Sequence, residues 1–169
     1  MEVNSNPDNI KKSLIIFLEM ENIKYTVVEE SESRVLIHLI MSDELLTMGC
    51  YIDYNIPINL IHFMSFAHQN IIESKRDEVL RLFSLLNNSM GTYWSTIHMN
   101  IDTGAVFAKS YLLVEDMEDV SLKQIERHFS INFHSLVNFL PMAMKINFGD
   151  KTAREVFNEF QEAREEGDE

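Results

Sequence analysis

"NIDTGAVFA", residues 100–108, decides how the chain is read. Asp102-Thr103-Gly104 between apolar stretches is the triplet that carries the catalytic carboxylate of aspartic peptidases, and it is equally a turn between two strands. A peptidase needs two such carboxylates sharing one proton, so a chain with one triplet has to dimerise around it. The retroviral-type half-enzyme places its triplet early in a mostly β chain and has a second glycine-bearing loop downstream. Here the triplet stands at 102, the following segment has helical periodicity, and "INFGD" at 146–150 is a poor substitute for that loop. A hairpin needs no further assumption: Asp and Thr sit in the bend, and Gly takes the position where a positive φ is needed. The turn is the preferred reading, and a peptidase using Asp102 is the weakest alternative.

Working outward, "TYWSTIHMN" (92–100) and "AVFAKSYLLVE" (105–115) become the two strands of the hairpin. Upstream, Val79, Leu82, Phe83 and Leu86 mark a helix from about Ser74 to Asn87 or Asn88, closed by Gly91. Before it come four runs rich in Val, Ile, Tyr and Phe: 24–30, 33–41, 44–54 and 58–67, broken by polar or Pro-containing links. In 35–41, Val35, Ile37, Leu39 and Met41 share one face. Leu36 and Ile40 on the other predict burial on both sides except at His38, the histidine expected to be partly buried and hydrogen-bonded.

At the N-terminus, Asn6 as cap and Pro7 in the first turn open a helix. It carries Ile10, Leu14, Phe17 and Leu18 on one stripe and ends near Glu21. Downstream, Ser121 and Gln124 form a capping box. Leu122, Ile125, Phe129, Phe133, Leu136, Val137 and Leu140 are the stripe of a long helix that Pro141 either kinks or ends. Asp150 is the expected cap of a last helix with Ala153, Val156, Phe157 and Phe160. The order is α-ββββ-α-ββ-αα, an α+β domain with a mainly antiparallel sheet. Residues 1–149 form the domain, and 150–169 add a helix and an acidic tail to it.

The formal net charge is −13, from 14 Lys and Arg against 27 Asp and Glu. Such a surface repels phosphate backbones and anionic lipid, both of which need cations on the protein. Lys11-Lys12 and Lys75-Arg76 are no basic stripe, so no nucleic acid is expected as a partner. Runs such as "SLIIFL" fall far short of the ~20 residues of a membrane helix, and no membrane insertion is expected. One cysteine, Cys50, cannot form an intramolecular disulfide, and the first residues lack a signal-peptide pattern. A cytoplasmic location is the simplest expectation. The acidity serves solubility or attracts a basic protein segment.

Recognisable chemistry is sparse. His128 and His134 are six apart, about 240° around a helix, and cannot share a ligand. His62, His68, His98 and His38 fit no metal-ligand spacing either. Cys50 has no basic neighbour in sequence to activate it. The five glycines, at 49, 91, 104, 149 and 167, make no phosphate loop, so the residues imply no cofactor and no metal. Ten methionines remain. They fill an irregular core or line an adaptable apolar groove. Trp94, Met99 and Tyr111 on strands 92–100 and 105–115 are the candidates for a partner-binding surface.

The words "KRDEVLRLFSLLNNSMGTYWSTIHMNIDTGAVFAKSYLLVE" and "VSLKQIERHFSINFHSLVNFLPMAMKINFG" carry a resemblance. The chain resembles the YbjN-like family, a bacterial group related in fold to class I type III secretion chaperones. Leu82, Phe83, Leu86 and Asn87 match the helix, Asp102 and Gly104 the turn, and Pro141 the terminal region. The likeness covers about 24 to 149. The chain departs from the pattern in the extended "YNIPINLIHF", which leaves the strand count around 44–67 open. The resemblance implies a fold rather than a reaction. The related chaperones are small, acidic dimers that bind extended segments of other proteins along apolar grooves. The expected function is therefore a non-enzymatic protein-binding module, chaperone-like or regulatory, and a homodimer. A small-ligand sensor with an enclosed cavity is the alternative.

Overall fold

The computed structural model describes residues 7–42, 47–89, 95–114 and 120–167. Helix α1 (Pro7–Met20) is followed by strands β1 (Tyr25–Glu30), β2 (Arg34–Ser42), β3 (Thr47–Asn55) and β4 (Leu60–Asn70). Helix α2 (Arg76–Ser89), strands β5 (Ser95–Met99) and β6 (Ala105–Leu113), and helices α3 (Leu122–Asn147) and α4 (Ala153–Gly167) complete the chain. The order is α-ββββ-α-ββ-αα, as expected. The proposed caps Asn6 and Gly91 lie outside the described residues.

The six strands form one sheet in the order β1-β2-β3-β4-β6-β5, antiparallel at every pairing. β1 to β4 are a meander. The "YNIPINLIHF" region resolves into the end of β3, one 3₁₀ turn at Ile56–Ile58, and the start of β4. Asn59 closes that turn at φ 51°, and its carbonyl accepts from Val114 N at 2.9 Å, tying the meander to the end of β6. The fourth run therefore begins two residues later than expected and extends three further. α2 then carries the chain to the far edge, and β6 returns between β5 and β4.

Residues 100–104 are a turn. Asn100 Oδ1 accepts from the backbone N–H of Asp102 at 2.9 Å and Thr103 at 3.1 Å. Gly104 takes φ 77°, as the bend requires. The Arg76 guanidinium donates to the carbonyls of Ile101 and Asp102, each at 2.9 Å, and so clamps the bend to the start of α2. Asp102 is exposed, with its backbone rather than its side chain in the contact.

The helices cover one face of the sheet. Val35, Ile37 and Leu39, then Cys50, Ile52 and Tyr54, then Ile61 and Phe63, then Val106 and Ala108 all point into one core with the stripes of all four helices. Directly beneath α3 the sheet offers small side chains, Ser65, Ala108 and Ser110, which let the helix approach closely. Asn132 of α3 accepts from Ser65 Oγ at 2.6 Å and donates to the Phe63 carbonyl at 3.1 Å. Ser110 Oγ donates to the His128 carbonyl at 3.2 Å.

Two expectations are corrected and one open alternative is closed. β2 is not buried on both sides: Ile40 is 59 % exposed and Leu36 half-buried, because no helix among the described residues covers that face. Pro141 does not end α3, which continues to Asn147. Proline costs the helix one backbone donor, and the buried Leu140, Met142, Ala143 and Ile146 around it hold the last turns against the core. The cap of α4 is Thr152, not Asp150. Thr152 Oγ1 accepts from Glu155 N at 3.3 Å while the Glu155 carboxylate accepts from Thr152 N at 2.8 Å, a reciprocal capping box. Glu78 of α2 adds an acceptor for Ala153 N at 2.7 Å.

Candidate protein-binding face

Because side chains alternate along a strand, the burial of one sheet face fixes what the other displays. Register across the uncovered face sets three rows. Tyr111, His62, Asp53 and Leu36 form the first. Thr96, Lys109, Met64, Tyr51 and His38 form the second. His98, Phe107, Phe66, Gly49 and Ile40 form the third. The rings touch across the strands. Tyr111 stacks on His62 at 4.2 Å between centroids, His38 lies 4.7 Å from Tyr51, and His98 stacks on Phe107 at 5.5 Å. Phe66 meets Phe107 at 5.6 Å and Tyr51 edge-on at 5.8 Å. At ordinary strand spacing the face is roughly 24 Å across and 20 Å along the strands, on the order of 500 Å². Ile40 and Tyr111 are its exposed apolar side chains, and Tyr51, Met64, Phe66 and Phe107 are half-buried against one another.

Its electrostatics differ from those of the whole chain. Among the described residues the charges on it are Lys109, whose ammonium lies 5.0 Å from the Phe107 ring centre, and a corner where Arg34 pairs with Asp53 at 2.8 Å and Glu29 at 3.2 Å. An aromatic patch near charge balance therefore sits on a chain of net charge −13. Burial, and secondly the Lys109 charge, push the pKa of His62 and His98 below the usual histidine value. Both imidazoles are neutral near pH 7, and His62 Nε2 is buried without a hydrogen-bond partner.

Gly49 leaves a gap in the pattern. A Cβ there would meet only His38 Nε2, at 3.8 Å. Flanked in register by Ile40 and Phe66, the bare backbone is a gap in the row of side chains.

The three residues expected to bind a partner separate. Tyr111 is on the face and 47 % exposed. Met99 has the opposite parity and is 8 % exposed, packed in the core with Ile97, so it is removed from the surface. Trp94 lies outside the described residues. Sequence reasoning missed His62, Met64, Phe66 and Gly49. Their two-residue spacing along β3 and β4 was readable, whereas the side left uncovered was not.

Cys50 is buried, 3.3 Å from Ser65 Oγ, and desolvation pushes its thiol up to about 11. Among the described residues no three His, Cys, Asp or Glu side chains are grouped to hold a metal, and no helix is long and apolar enough to cross a membrane. No family model matches the chain, and no curated protein matches it.

Proposed function

We propose that the chain is a non-enzymatic protein-binding module, chaperone-like or regulatory, that takes an apolar segment of a partner protein on the uncovered sheet face. One observation carries this: among the described residues the helices pack on one face of the sheet, and the contiguous, ring-stacked opposite face carries none. A broad, shallow face fits a protein segment better than a small molecule, which is held in concave sites. The surrounding acidic surface selects basic residues flanking that segment. The resemblance to YbjN-like proteins and type III secretion chaperones points the same way, and a cytoplasmic location is part of the same proposal.

Homodimerisation belongs to the same proposal. β5, the five-residue edge, is the edge available for it, since β1 is interrupted by a bulge between Val27 and Glu29 and carries Glu29 and Glu30.

The test is capture of the native partner by Tyr111→Ala, Trp94→Ala and Gly49→Arg, with Ile16→Ala on the exposed side of α1 as control. Recovery is expected to fall about tenfold or more for the Tyr111 and Gly49 changes, as for the loss of an interface anchor. Unchanged recovery for all three, with a folded protein, refutes the reading.

A further inference from the structure

Between the C-terminal end of α1, the end of β2 and the first half of α3 lies a cleft of about 230 Å³. It opens on the helix side of the sheet and shares no residue with the rows described above. Phe17, Phe129 and Phe133 wall it with Met41, and Ser130 and His134 of α3, joined by a 2.8 Å contact of His134 Nδ1 with the Ser130 carbonyl, add polar lining. The Phe17 and Phe129 rings meet edge to face at 5.5 Å between centroids, which fixes the apolar wall. Glu21 and Glu126 stand at the mouth, both exposed. Neither is ion-paired among the described residues.

An aromatic wall beneath two unpaired carboxylates is complementary to one kind of group: an apolar stem ending in a cation. Ring faces attract the cation and the carboxylates pair with it. Size restricts the occupant further. Sites for drug-sized ligands run from about 300 to 1,000 Å³, and the cleft is smaller, fit for one side chain. We propose that this cleft is a receptor for an arginine side chain of a partner peptide, held between the phenylalanine wall and the Glu21 and Glu126 carboxylates. Arginine is preferred to lysine because its planar, weakly hydrated guanidinium stacks on a ring while its N–H groups reach carboxylates at the rim. This proposal does not rest on the sheet-face reading, and either stands without the other.

The experiment titrates the full-length, isotope-labelled protein with acetyl-Leu-Arg-Leu-amide and with its neutral citrulline counterpart, following methyl and aromatic NMR signals. The arginine peptide is expected to shift Met41, Ile23 and Phe133 with millimolar or tighter affinity, and citrulline to bind about fivefold or more weakly. Glu126→Gln, at an exposed site, is expected to weaken the arginine peptide about threefold to tenfold without changing the spectrum of the core. Phe133→Leu tests the wall in the same way. Equal shifts by the two peptides, shifts located elsewhere, or none at millimolar peptide overturn the proposal.

Discussion

Ser65 on β4 donates its hydroxyl proton to the side-chain carbonyl of Asn132 on α3 at 2.6 Å, inside a mainly apolar core. Asn132 also donates to the Phe63 carbonyl at 3.1 Å and is 1 % exposed. The pair fixes the rotation and height of α3 over the sheet. Asn132→Leu leaves the Ser65 hydroxyl with only the weak Cys50 sulfur partner at 3.3 Å and takes a donor from the Phe63 carbonyl, and is expected to cost about 1–3 kcal/mol, measured by urea denaturation. A change within about 0.5 kcal/mol would mean the polar contact carries no stability.

Gly104 is required by geometry. At φ 77° a Cβ would lie 2.1 Å from the carbonyl oxygen of Ile71. The N–H of the same residue links the end of β4 to the hairpin, donating to Gly104 O at 2.8 Å. Gly104→Ala is expected to lower stability by about 1–3 kcal/mol or more. Asp102→Asn, two residues away and exposed, is expected to stay within about 0.5 kcal/mol. The contrast, read from thermal midpoints, distinguishes a bend that needs its glycine from one that needs its carboxylate.

Stability is expected to fall on mild acidification. His62, His98 and His128 are all held below 6.5, first by burial, then by Lys109 for the first two and Arg127 for the third. Near pH 6.5 the unfolded chain takes up protons that the folded chain does not, so stability rises with pH in that window. The contribution is full above about pH 6.5 and is lost as pH drops toward the lowered folded-state values. Measured in about 0.5 M salt, which screens the repulsion among acidic groups, the urea midpoint should fall between pH 7 and 5.5. His98→Gln should shallow the fall. A midpoint that rises over that range contradicts the assignment.

Cys50 is expected to be inert in the native protein. With the thiol at about 11 and 1 % exposed, it should react with a thiol reagent at pH 8 only as fast as the protein opens. Addition of urea past the unfolding midpoint should release the full reactivity. Rapid native labelling would contradict this burial.

Periodicity made most of the fold legible. Ile10, Leu14, Phe17 and Leu18 named the buried stripe of α1, the Ser121–Gln124 box placed the start of α3, and Asn100 to Gly104 declared a hairpin. What failed was non-local. Pro141 breaks an isolated helix, yet burial of Met142, Ala143 and Ile146 overrides that preference. Asp150 and Thr152 are both good caps, and only the reciprocal contact with Glu155 separates them. The face was half readable. Alternation put Tyr51, His62, Met64 and Phe66 on shared sides of their strands, as it put Met99 with Ile97. Which side the helices would cover depends on chain crossings that a strand's own residues do not encode.

The most direct measurement places a photo-activatable benzophenone residue at position 111 on the uncovered face and, separately, at position 16 on α1, and irradiates the cells that make the protein. Position 111 is expected to yield a covalent adduct of discrete mass that position 16 does not, and Gly49→Arg should abolish it. Adducts at both positions alike, or none from 111 while the protein is folded, would contradict the claim that this face is where the molecule meets its partner.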